Sequence, residues 1–200
     1  MSSSASWSKA VVFDMDGTLF ISPFDWRRIK AELGVKEGLI LDHLRSLPDE
    51  ERRRKFELLE ALERETVFKG KPAPGAKRIL SRLRRWGWKL GILTNNSRPL
   101  TSWVLSRLGF RFDAVVTRDD GVWKPYPESV EKVLSLLEVS PERTVYVGDN
   151  ALDIKTALPF PFPLVIIVNS DPALRAKFRG RVKFVDSLEG ILKPISQIKW

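Results

Sequence analysis

Short apolar runs rich in Val and Ile recur along the chain as KAVVF, WKLGIL, FDAVV, TVYVG and PLVIIV. Between them stand stretches with apolar residues at helical spacing, GAKRILSRLRRWG, PLTSWVLSRLGF, PESVEKVLSLLEV and PALRAKF. Runs that are apolar on both faces, alternating with amphipathic helices, predict an α/β fold in which helices cover both sides of a parallel sheet. VKFVDSLEGIL adds an expected edge strand and a last helix.

One interval breaks the alternation. Residues 21–74 carry no strand pattern and read as three helices. Ser22-Pro23 is expected to open the first in cap-then-proline manner, EGLILDHLRSL is the second, and Pro48 starts the third. GKPAPG closes the interval with turn chemistry. The expectation is therefore a core of residues 1–20 and 75–200, with a small all-helical cap, residues 21–74, inserted after the first strand. In open α/β sheets the strand ends it follows are where ligands bind.

Composition narrows the chemistry. Two hundred residues, 43% of them apolar, can bury one sizeable core. No apolar run approaches the roughly 20 residues of a membrane span, and MSSSASWSK reads as a frayed tail without the order of a secretory signal. A cytoplasmic protein, monomer or dimer, is expected. There is no cysteine and one histidine, His43, so thiolate chemistry and His-rich metal sites are excluded. Any metal must be held by oxygen, which favours Mg2+. Only four Asn and one Gln accompany 30% charged residues, a composition in keeping with a thermophile. The net charge of +9 raises nucleic acid as a partner, but the basic residues are spread over helix faces, which reads as a solvated basic surface.

Four polar clusters follow the predicted strands: Asp14-Met15-Asp16-Gly17-Thr18, Thr94-Asn95-Asn96, Lys124-Pro125, and Gly148-Asp149-Asn150 with Asp153. Carboxylates at the end of a buried strand are expensive unless a metal, a cation or chemistry occupies them. Asp14 and Asp16, two apart, can begin on one face, and Gly17 lets the chain turn away. No G-x-G-x-x-G or P-loop sequence is present, so dinucleotide and ATP cradles are unsupported.

In this order and spacing, DMDGT, LTNN, the lysine of WKPYPE and GDNALDI resemble the four motifs of the haloacid dehalogenase superfamily. KPAPGAKRILSRLRRWGWKLGILTN and FDAVVTRDDGVWKPYPE are similar to its phosphoglycolate phosphatase-like branch. The resemblance implies a Rossmann-like three-layer core and a Mg2+-dependent phosphatase acting on small phosphomonoesters. By that resemblance Asp14 is the nucleophile and Asp16 the acid and base. Thr94, Asn95 and Lys124 would bind the phosphate. Asp14, Asp149 and the Asp16 main-chain carbonyl would hold Mg2+, and Asp153 would orient a metal-bound water or Lys124.

Plainer roles exist for single residues. Thr94 suits a helix N-cap, Asp153 a first helical turn, and Lys124 the surface. LPFPFPLVIIV is proline-rich where the family often has a glycine-bearing turn. Two rivals to a phosphatase remain: a phosphotransferase of the same superfamily resembling β-phosphoglucomutases, and a basic nucleic-acid-binding protein on the same fold. DGT, rather than the DGV usual in the mutases, and Asp153 favour hydrolysis; the complete set of catalytic acids argues against the binding protein.

Overall fold

The computed structural model of the chain describes residues 8–200; most of the opening tail lies outside them. Six strands form one parallel sheet: β1 (Lys9–Phe13), β4 (Trp88–Leu93), β5 (Ala114–Val116), β6 (Thr144–Gly148), β7 (Leu164–Val168) and β8 (Lys183–Val185). Their order is β5-β4-β1-β6-β7-β8, and every neighbouring pair is parallel. The chain runs outward from β1 through β4 to β5, then resumes at β6 on the other side of β1. The strand order thus reverses around β1, and the carboxyl ends of β1, β4 and β6 meet at the switch.

The central strands are apolar on both faces, as the runs predicted. Residues 10–13 of β1 and 145–147 of β6 are fully buried. On one face Ala10, Val12 and Tyr146 pack with Val130, Val133, Leu134 and Leu137 of α6 (Pro127–Leu137). Gly91 is small for a reason: a Cβ there would lie 2.9 Å from Leu137 Cδ1, so the strand admits α6 closely. The helices α4 (Ala76–Arg85), α5 (Arg98–Leu108), α7 (Ala151–Ala157), α8 (Pro172–Lys177) and α9 (Leu192–Ser196) complete the layers on both sides of the sheet. The expected edge strand and last helix are β8 and α9, with a short 3-10 turn at Leu188–Ile191 between them.

By contacts the chain divides into two compact units, residues 22–70 and the remainder. The first contains α1 (Trp26–Leu33), α2 (Ile40–Ser46) and α3 (Asp49–Val67), three helices as read. Two details differ from the sequence expectation. The interval is not strand-free at its ends: β2 (Phe20–Ile21) and β3 (Lys71–Pro72) pair antiparallel, so the outgoing and returning chains lie side by side. Ser22-Pro23 does not open α1. Asp25 does, its carboxylate accepting from the N–H groups of Arg27 (3.1 Å) and Arg28 (3.0 Å), a stronger cap than Ser22 supplies. Among the described residues no helix is long and apolar enough to cross a membrane.

Candidate active site

Three of the four polar clusters sit just beyond the strands that precede them, and the fourth lies further along a loop. Asp14 follows β1 and prolongs its ladder, its N–H donating to the Val147 carbonyl at 2.8 Å. Thr94 follows β4 and donates its N–H to Val116 at 3.0 Å. Asp149 follows β6, and Lys124 lies on the loop that leads from β5 to α6.

Lys124 is the hub. Its ammonium, 3% exposed, donates to Asp14 Oδ1 and, at 2.8 Å, to Asp153 Oδ1. A surface lysine would not be found here. Burial works against its charge, but Asp14 and Asp153 outweigh burial and hold the ammonium protonated well above the usual lysine range. Its backbone is gripped as well. The Asn95 amide accepts the Lys124 N–H at 2.8 Å and donates to the Lys124 carbonyl at 3.0 Å. The Asn95 side chain therefore engages the lysine loop. Arg118, buried beside it, donates to the Asn95 carbonyl at 3.2 Å.

Asp153 is saturated. Oδ1 accepts from Lys124 and from the Tyr146 hydroxyl at 3.0 Å; Oδ2 accepts the N–H groups of Asp149 (3.1 Å) and Asn150 (3.4 Å). It also stands third in α7, whose N-cap Asn150 accepts from Leu152 and Asp153, so the cap reading and the site reading hold together. Burial, with the charges of Asp153 and Asp14, pushes the Tyr146 phenol well above its ordinary range, which keeps it a neutral donor. Gly148 is required for this packing: a Cβ there would lie 2.4 Å from Asp153.

The remaining carboxylates are under-compensated. One oxygen each of Asp14, Asp149 and Asp153 lie within 4.8 Å of one another. Asp14 Oδ2 is buried without a hydrogen-bond partner. Burial pushes Asp14 up to about 7 against the pull of Lys124. Burial and the charge of Asp14 push Asp149 up to about 9. With Asp153 already met by four donors, Asp14 and Asp149 are the pair whose charge calls for a further cation, and two hard oxygens suit Mg2+. The Asp16 carboxylate is outside this group. It points to Asn96, whose Nδ2 donates to Asp16 Oδ2 at 3.1 Å.

Thr94 is buried, and its Oγ1 accepts the Asn96 N–H at 3.2 Å. It is not the cap of α5; Ser97 occupies that place. Sequence reasoning named Asn96 in its cluster without giving it a role and did not single out Tyr146 or Arg118. Tyr146 carried the one available signal, a phenol amid an apolar run.

Asp14 and Asp153 flank one buried lysine at the strand switch, and the chain belongs to the haloacid dehalogenase-like hydrolases, whose family model matches residues 8–159. An uncharacterized hydrolase of Saccharomyces cerevisiae is 32% identical over 157 residues, 74% of this chain and 72% of the yeast protein. The pyrophosphatase PpaX of Bacillus mycoides is 45% identical over 75 residues, 36% of this chain and 35% of that protein. The crystal structure of a hydrolase from Pseudomonas syringae aligns over 96% of this chain and all of its own, with a TM-score of 0.76 at 18% identity. That likeness bears on the fold.

Proposed function

We propose that this hydrolase is a phosphatase that cleaves small phosphomonoesters through an aspartyl-phosphate on Asp14. The observation that carries the reading is the Lys124 ammonium held between Asp14 and Asp153 while the second Asp14 oxygen stays unbonded. One oxygen is anchored and the other is left to attack.

Asp14 Oδ2 would attack phosphorus in line, forming an O–P bond as the bond to the leaving oxygen breaks. Asp16 would give its proton to that oxygen, which departs as an alcohol. Water would then attack the same phosphorus, losing a proton to Asp16. The acyl O–P bond breaks, releasing inorganic phosphate and restoring the Asp14 carboxylate and the Asp16 acid. Throughout, Lys124 would offset the charge that collects on the transferring oxygens, with the Thr94 hydroxyl as a further contact. Asp153 and Tyr146 would keep the ammonium in place. Mg2+, when bound by Asp14 and Asp149, would supply the positive charge that lets a phosphate dianion approach these acids. The helical unit, residues 22–70, is assigned the choice of substrate size.

A second reading rests on the 45% identity to a pyrophosphatase. The same residues would cleave a phosphoanhydride, with phosphate as the leaving group. Turnover of a panel of phosphoesters containing phosphoglycolate, sugar phosphates and pyrophosphate tests both. Phosphoglycolate among the better substrates supports the first reading, and pyrophosphate far ahead of all esters supports the second. No hydrolysis across the panel with Mg2+ present contradicts both.

A further inference from the structure

We propose that the core unit carries a second binding surface, for single-stranded nucleic acid, on α4 and the carboxyl end of α5. The surface stands apart from the hydrolase chemistry and does not depend on it. The net charge of +9 is not shared between the two units. Residues 22–70 hold eleven Lys and Arg against eleven Asp and Glu, so all of the excess lies on the core. Within the core, residues 77–111 contribute nine Lys and Arg and no Asp or Glu.

Four of the nine have acid partners: Arg78 with Glu189, Arg84 with Asp113, Lys89 with Glu138 and Arg98 with Asp120. Lys77, Arg82, Arg85, Arg107 and Arg111 are exposed and make no ion pair among the described residues. In residues 22–70, by contrast, Arg28, Arg54, Arg64 and Lys69 each meet a Glu four residues away. The five cations share one region. Arg84 donates to the Arg111 carbonyl at 3.0 Å, and a Cβ on Gly109 would lie 3.6 Å from Lys77 Nζ, so α4 flanks the segment that follows α5. That region leads into the amino ends of β4 and β5, opposite the carboxyl ends that carry Asp14, Thr94 and Asp149. Unneutralised cations repel one another, and a polyanion relieves that repulsion while releasing its own counterions. Aromatic rings stand among them. The Arg82 guanidinium lies over Trp86, itself 38% exposed, at 5.4 Å from the ring centre, and Arg107 lies over Trp103 at 5.7 Å. Four of the five cations are Arg, whose planar fork suits phosphate oxygens. An exposed indole beside them gives unpaired bases a surface to stack on, which paired bases cannot use. A lipid headgroup would meet the same charges, but Ala76, Ile79, Leu80 and Leu83 of α4 are all buried, so the helix has no aliphatic face for insertion.

The test is fluorescence anisotropy of a short labelled oligo(dT) with hydroxyl ends, which brings no terminal phosphate to the acid cluster. The full chain should bind it with a Kd of about 1–100 µM near physiological salt. Affinity should fall with salt at a log–log slope of about −3 to −4, as five contacts to a single strand require. Lys77→Glu, Arg82→Glu and Arg85→Glu together should weaken binding by more than about 30-fold. The same reversal at Arg179, Arg181 and Lys183, exposed at and before β8 on the far edge of the sheet, changes the net charge equally. It should cost no more than about 3-fold, since surface charges are screened beyond about 8 Å. Arg82→Gln with Arg85→Gln, a milder pair, should make the salt slope shallower by about 1–2. Trp86→Ala should weaken single-strand binding by about 5–50-fold and leave duplex binding unaltered. Thermal unfolding verifies that each variant is folded. No binding to the oligonucleotide, equal losses from both reversals, an unchanged slope in the Gln pair, or wild-type affinity in Trp86→Ala overturns the proposal. So does binding to vesicles containing phosphatidylserine with none to oligo(dT).

Discussion

The backbone of Gly17 lies against the carboxylate of Asp149, so closely that a Cβ on residue 17 would sit 2.1 Å from Oδ2. Gly17 also adopts φ +85°, a region costly to residues with side chains. Gly17→Ala should therefore destabilise the fold by on the order of 1–3 kcal/mol and displace Asp149. The expected result is a lower melting temperature together with a weakened response to Mg2+. Unchanged values of both would mean that the contact does not constrain Asp149.

Lys124→Met keeps the length of the side chain and removes its charge. Asp14 and Asp153 would then be buried without their cation, a change that typically costs about 3–5 kcal/mol. Both carboxylates are almost wholly buried, so solvent offers little relief. Denaturant unfolding should show the loss, and turnover should fall by more than about 10²-fold. Lys77→Met, on the exposed face of α4, should change neither.

The acid cluster predicts a pH signature. Asp149 is raised in the folded protein to about 9, so the fold favours its protonated form. That contribution is fully present below the ordinary carboxylate range and is lost as pH rises through about 9. The melting temperature of EDTA-treated protein should therefore fall between about pH 5 and about pH 9. Mg2+ should restore it most at the alkaline end, and Asp149→Asn should flatten the profile. A metal-free protein that grows more stable over this range would contradict the electrostatic account. In the same protein EDTA should remove activity reversibly, and Ca2+ should replace Mg2+ poorly because its coordination is larger and looser.

What could be read from the sequence was whatever strand order alone decides. The runs around β1, β4 and β6 are apolar on both faces, and a parallel sheet delivers the residues after them to one edge. Asp14, Thr94 and Asp149 were legible for that reason, whereas Lys124 stands on the longer loop between β5 and α6. The β2–β3 ribbon was not, because two residues a side carry no periodicity. The cap of α1 went to Ser22 instead of Asp25, since both are good capping residues and only geometry chooses. Asn96 was named in its cluster without a role because its partner lies 80 residues away and an Asn after a strand is usually a turn residue. Asn95 was read as a phosphate contact, whereas its side chain holds the Lys124 backbone.

The assignment of substrate size to residues 22–70 predicts a selective loss. Replacing that segment with a short Gly/Ser linker between Ile21 and Lys71, which the ribbon already brings together, should leave the core folded. Turnover of phosphoglycolate should drop relative to that of a phosphopeptide. An equal drop for both would remove the segment from substrate choice.

The central claim is that Asp14 becomes phosphorylated. Its most direct test is acid quenching of the Asp16→Asn variant during turnover of a radiolabelled small phosphoester, with Mg2+ present. The variant should be slowed by about 10²–10⁴-fold, with breakdown of the intermediate slowed enough for it to accumulate. Label should be recovered on a peptide carrying Asp14, be labile to hydroxylamine, and be absent when Asp14 is replaced by Asn. Asp14→Asn should itself lose on the order of 10⁴–10⁶-fold in kcat. An Asp14→Asn protein that retains full turnover, or an active enzyme whose label lies on another residue, would contradict the account.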